Sequence, residues 1–261
     1  MVSFARKLPA KTILWIGLAV YSAISVELSQ PIRALAQENA IADAVKYCRH
    51  FAGLVGLNED KTILCFDGKI TPGQELVSIP NLADGGMFVI RSSGGSVRTA
   101  MEIANVLQDK NALVVIYDYC LSACAGFIFI ASAETFVTRD TIVAWHAPCS
   151  GTSIKEDTFA EKEKRCATII PPSEFFNRRA VDRRTRVEQF VYSPQSEHTR
   201  KMVQIAYDGA EYYGDVFWMW NPRHYNSYFK AKIAYESYPA SQSEVDEIAK
   251  KLRLPNIIYD P

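Results

Sequence analysis

Short apolar runs that stop at turn residues recur between residues 62 and 148 and alternate with stretches of helical spacing. That alternation restricts the chain to a mixed α/β fold with parallel strand pairing. Thr62-Ile63-Leu64-Cys65-Phe66 ends at Asp67-Gly68, as a buried strand ends at a turn. Met87-Phe88-Val89-Ile90 runs into Ser92-Ser93-Gly94-Gly95-Ser96, after which Val97, Met101, Ile103, Ala104 and Leu107 give a helical face. A third buried strand is expected over Ala112 to Tyr117, and a buried helix over Ala123 to Ala133. Two further strands, Thr135 to Thr138 and Ile142 to Trp145, end at His146-Ala147-Pro148. A helix over Ala40 to Val55 precedes them. Beyond Cys149 the pattern weakens, and helices are the expectation there. The reading is a single domain over residues 37–261, with a core at 62–148 and a helical C-terminal region at 170–261.

The N-terminus sets the expected compartment. Arg6, Lys7 and Lys11 precede the apolar run Ile13 to Val26, and Ala34-Leu35-Ala36 follows as a small-x-small cleavage site. Residues 1–36 therefore read as a secretory signal cut before Gln37. The competing reading is an uncleaved membrane anchor, although the run falls short of the roughly 20 apolar residues a spanning helix needs. The mature chain is expected in an oxidising space, periplasmic or secreted. There an even number of cysteines favours disulfides, and all 6 lie after the expected cut. Nearest-neighbour pairing joins Cys48 with Cys65, Cys120 with Cys124, and Cys149 with Cys166. Zinc is disfavoured, because no CxxC pair or HxxxH supplies compact ligands. Lys+Arg and Asp+Glu both total 29, so the chain lacks the basic footprint of a nucleic-acid binder. The basic cluster from Arg178-Arg179 to Arg186 reads as a solvated helix face, and the aromatic run Tyr212 to Tyr228 as core or oligomer surface.

Three segments carry possible chemistry. A serine nucleophile needs a hydroxyl on a tight strand-to-helix turn, a base within reach, and backbone N–H donors for an oxyanion. Ser122 follows a buried strand and opens a helical segment among small residues, Ala123 and Ala125-Gly126. A serine there is also an ordinary helix cap. Gly94-Gly95 sits between strand and helix, where the missing β-carbon permits close approach, although most such pairs are only turns. His146 closes a strand at the carboxyl edge of the sheet, where α/β proteins usually place their sites.

Together these segments resemble the proteolytic subunit of the Clp proteases and its relatives in the crotonase superfamily. Ile90-Arg91-Ser92-Ser93-Gly94-Gly95-Ser96-Val97 is similar to that family's N-S-P-G-G segment, with Ser93 where proline is common. Cys120-Leu121-Ser122-Ala123-Cys124-Ala125 is similar to its small-residue nucleophile turn, and Trp145-His146-Ala147-Pro148 to its H-Q-P segment. The resemblance covers Thr62 to Pro148. It implies a spiral of strand-strand-helix units, with Ser122 as nucleophile, His146 as general base, and Gly95 and Ala123 as oxyanion donors. It implies an acidic third member from a later helix. Asp215 is slightly preferred, Asp208 is the alternative, Asp182 is less suited by separation, and a dyad of Ser122 and His146 remains open. A serine–lysine dyad, as in the signal-peptide-peptidase branch, finds no motif at Lys162, Lys164 or Lys201. The implied activity is peptide-bond hydrolysis on a peptide or unfolded segment, without an ATP-driven unfoldase, cofactor or metal. A homo-oligomer is compatible with the fold, and a membrane partner enters only if the N-terminal segment stays uncleaved. The alternatives are a catalytically inactive binding or assembly module and, less favoured in an exported protein, an acyl-CoA enzyme.

Overall fold

The structure is a computed structural model, and it describes residues 37–73, 78–146, 173–179, 196–209, 216–224 and 228–261. The expected signal, Cys149, Cys166, Asp182, Arg183, Arg184, Arg186, Lys162, Lys164 and Asp215 lie outside those residues. The chain divides into two compact units, Met1–Lys46 and Tyr47–Pro261. Of the first, residues 37–46 are described and are helical. The same helix, α1, ends at residue 50, short of the expected Val55.

In the second unit, seven strands form one sheet. They are β1 (Val55–Leu57), β2 (Ile63–Asp67), β3 (Met87–Ser92), β4 (Leu113–Leu121), β5 (Glu134–Val137), β6 (Ile142–Ala144) and β8 (Lys232–Tyr235). The order is β1-β2-β3-β4-β5-β8, with β6 also paired to β4. All pairs are parallel except β1 with β2, so the fold is α/β with a mostly parallel sheet. Strands buried on both faces read as continuous apolar runs, as Phe88-Val89-Ile90 and Val114-Val115-Ile116 do.

Helix α2 (Val97–Asp109) follows β3. The Ser96 hydroxyl caps it by accepting from the Thr99 N–H at 3.3 Å. Its buried stripe, Ala100, Ile103, Ala104 and Leu107, joins a core that includes Leu64, Phe88, Ile90, Val114 and Ile116. The segment expected as a buried helix over Ala123 to Ala133 is instead one π-helical turn, Cys124–Ile128, closed by the Phe129 N–H donating to the Cys124 carbonyl. It is buried throughout, so apolar content alone could not give its length.

The C-terminal region is corrected more substantially. Helices α3 (Ser173–Arg179), α4 (Glu197–Gly209) and α5 (Gln242–Leu252) are present, but so are β7 (Phe217–Trp220), β8 and β9 (Ile257–Asp260). Phe-Trp-Met-Trp and Ile-Ile-Tyr-Asp are short, aromatic or β-branched runs that suit a pleated surface. Strands β7 and β9 pair in parallel as a second sheet. The buried Asp260 carboxylate then anchors the start of α4, accepting from the Ser196 N–H and, at 2.9 Å, from the Thr199 hydroxyl. Of the expected solvated basic face, Arg178 is exposed, but Arg179 is a correction, because it is only 3% exposed. Its guanidinium donates to the Ala131 and Phe175 carbonyls and to Asn105 Oδ1, tying α3 to α2 and to the turn before β5. Desolvation lowers its pKa to about 10, and the neighbouring Arg178 adds to the shift.

Candidate active site

Strand β4 is where the site is assembled. From Leu113 to Ile116 it pairs with β5, and from Tyr119 to Leu121 it pairs with β6. Between these stretches the register with β3 shifts. Ile90 faces Ile116, but Ser92 faces Cys120, so β4 advances four residues while β3 advances two. Asp118, at φ +56°, turns the bulge. Its side chain accepts from both Arg49 terminal nitrogens, at 2.6 and 3.2 Å, and from Arg91 at 3.1 Å. Arg91 also holds Asp67 through two bonds, the nearer-normal one 2.8 Å long. That link to Asp67 is the main reason its pKa is raised. Both guanidinium groups lie over the Tyr117 ring. The bulge is thus held by a charged network at partly buried positions.

Beyond the bulge, Leu121 pairs with Ala144, and the Ser122 N–H extends the ladder by donating to the Ala144 carbonyl at 3.0 Å. Ser122 then leaves the strand at φ +56°, a left-handed conformation that costs a serine on the order of 1 kcal/mol or more. The Gly126 N–H returns to the Ser122 carbonyl at 2.9 Å, and a disulfide joins Cys120 to Cys124 around the turn. These contacts hold the strained residue in place. Because β4 and β6 are parallel neighbours ending together, His146, two residues past β6, reaches the same edge. Its Nε2 lies 2.5 Å from the Ser122 Oγ.

Gly94 and Gly95 close the other side. A β-carbon on Gly94 would stand 2.6 Å from the Ser122 Cβ and 2.9 Å from the Ala123 nitrogen, so the glycine segment lies directly against the serine turn. Gly95, at φ +140°, bridges Ile70. The Ile70 N–H donates to Gly94 O, and the Ser96 N–H donates to Ile70 O. In a parallel ladder that pattern leaves the N–H of Gly95 outside the bridge to Ile70. Ala123 opens the π-helical turn, where an N–H has no intrahelical acceptor.

His146 is half-buried, and desolvation lowers its pKa from 6.5 to about 4. Its ring stacks on Phe217 in β7, with centroids 4.7 Å apart and planes 27° apart. In the sequence Phe217 is legible only as part of an aromatic run. The signal that could have found it is register, since one backbone bridge pairs Trp145 with Trp218 and puts His146 beside Phe217.

The structure therefore brings together Ser122, His146 and Ala123, with Gly94 against the serine turn and Gly95 next to it in the chain. Asp208 lies in α4, with its side chain outside the described set, and Asp215 is outside it altogether. Lys201 is on the exposed face of α4, 3.0 Å from Glu197. Among the described residues no His, Cys, Asp or Glu cluster could hold a metal, and no helix is long and apolar enough to cross a membrane. The disulfides Cys48–Cys65 and Cys120–Cys124 are both formed. No protein-family model matches this sequence, and no curated protein shows significant similarity to it.

Proposed function

We propose that this chain is an exported serine peptidase of Clp-like fold that hydrolyses peptide bonds through an acyl-enzyme on Ser122. The observation that carries the reading is the 2.5 Å approach of His146 Nε2 to Ser122 Oγ, on a strained strand-to-helix turn faced by a glycine pair. Two disulfides support export.

In this reading His146 is neutral, with its proton on Nδ1 and Nε2 accepting from the Ser122 hydroxyl. As Ser122 Oγ bonds to the scissile carbonyl carbon, its proton passes to Nε2. The oxyanion is met by the Gly95 and Ala123 N–H groups. Collapse breaks the C–N bond, and the imidazolium proton leaves with the amine. Water then attacks the acyl carbon and gives up a proton to Nε2, and the imidazolium returns a proton to Ser122 Oγ as the ester bond breaks and the carboxylic acid leaves. The substrate is a peptide or unfolded segment that enters without an ATP-driven unfoldase, since ATP is not expected outside the cytoplasm.

Fluorophosphonate labelling of the purified mature protein tests this. Wild type is expected to label at one site, and Ser122→Ala and His146→Ala are expected to abolish labelling while leaving the circular dichroism unchanged. A folded wild-type protein that does not label would favour the second reading, a catalytically inactive binding module. The disulfide across the nucleophile turn is the observation that keeps that second reading in view.

A further inference from the structure

We propose that Phe217 is the positioning residue for the His146 imidazole, its ring face fixing the plane in which Nε2 is presented to Ser122. This rests on the reading of Ser122 and His146 as nucleophile and base.

The argument begins with backbone register. Trp145 and Trp218 exchange both N–H···O bonds, each 2.8 Å long, as an isolated antiparallel bridge. In antiparallel pairing the next residues along, His146 and Phe217, stand directly opposite each other as a pair without mutual backbone bonds. That class brings side chains closest together. The two faces then separate by alternation. Trp145 and Trp220 stack on the core side at 4.2 Å, while His146 and Phe217 stack on the other.

Phe217 itself has little freedom. It is 7% exposed, pairs with Ile257 through β7 and β9, and packs in a cluster with Leu121, Ala144 and Val245. Leu121 is the residue before Ser122, so one small apolar cluster backs both nucleophile and base. The hydrogen bond to Ser122 fixes one corner of the imidazole, and a flat neighbour 4.7 Å away restricts the tilt of its plane. An aliphatic side chain of similar volume would fill the space without offering a plane.

The test uses the mature protein with Phe217→Leu and Phe217→Tyr. Two quantities are measured: the rate constant of fluorophosphonate labelling, and the histidine ring C–H resonances, assigned with His146→Ala among the 4 histidines. Wild type is expected to show a His146 resonance displaced upfield by the Phe217 ring current. Phe217→Leu should return that resonance to its ordinary position and slow labelling by about 10- to 100-fold with the fold retained. Phe217→Tyr should preserve both. An undisplaced His146 resonance in wild type overturns the proposal without any variant having to fold. So does a folded Phe217→Leu protein that labels at the wild-type rate, or a folded Phe217→Tyr protein as slow as Phe217→Leu. Absence of labelling in wild type would remove the hydrolase reading alone, and the resonance would then decide the placement of the ring by itself.

Discussion

His146 joins two physical demands in one side chain. The proposed general base has to be neutral to accept the serine proton, and a partly buried imidazole holds its charge poorly. Desolvation takes its pKa down to about 4, so the neutral form persists well below the ordinary histidine range. The sign follows directly. Labelling of Ser122 should stay near its plateau as pH falls through 6.5 and should decline only as pH passes through about 4. The pH profile of the labelling rate checks this. An acid limb centred near 6.5 would mean that the imidazole is solvated in the working protein. At this scale Ser122 and His146 are readable in the sequence because each ends an apolar run beside small residues. Phe217 is not, since a residue that is buried core and also faces His146 leaves the same apolar signature as one that is only core.

The element that positions the site is the bulged strand β4. Without the two extra residues around Asp118, the end of β4 would meet β3 in another register, and Ser122 would not leave the sheet beside Gly94. Asp118 accepts three charge-assisted bonds from Arg49 and Arg91 while its own residue is 8% exposed. Asp118→Ala leaves two guanidinium groups short of that partner and is expected to cost about 2–4 kcal/mol. Asp118→Asn keeps the backbone preference and part of the bonding, so it should cost less. Urea unfolding measures both, and the labelling rate should fall with Asp118→Ala even where the protein remains folded. Equal stability in the two variants would remove the charge network as the support of the bulge. The bulge itself was not legible. The sequence predicts an end to this strand at Tyr117, because Asp118 breaks the apolar run, and a run of side chains carries no sign of a shift against its neighbour. The strands β7 and β9 are not legible in the sequence for a related reason. Each is four residues long and gains its conformation from pairing with the other, which no local window contains.

Across the whole molecule the two disulfides act on different terms, and their removal separates stability from chemistry. Cys48–Cys65 closes a separation of 17 residues and fastens the last turn of α1 to β2. In the chain-entropy account, a loop of that size restricts the unfolded state by about 3 kcal/mol. Cys120–Cys124 closes a separation of only 4, so its effect on the unfolded chain is smaller, on the order of 2 kcal/mol. Its position is what distinguishes it, because its two ends bracket Ser122 and its left-handed backbone. Replacing Cys48 and Cys65 by serine should therefore lower the unfolding free energy by about 3 kcal/mol and leave the labelling rate of the folded protein near wild type. Replacing Cys120 and Cys124 should cost less stability but slow labelling by about 10-fold or more, as the strained turn relaxes and the Oγ leaves its place against Nε2. Thermal or urea unfolding and labelling of the same two double variants measure both quantities. If both lose labelling only in proportion to their loss of folded protein, the inner disulfide is one more staple. If the inner pair slows labelling in a fully folded chain, that bond shapes the turn from which Ser122 reacts, and reduction of the protein would weaken its reactivity before its fold.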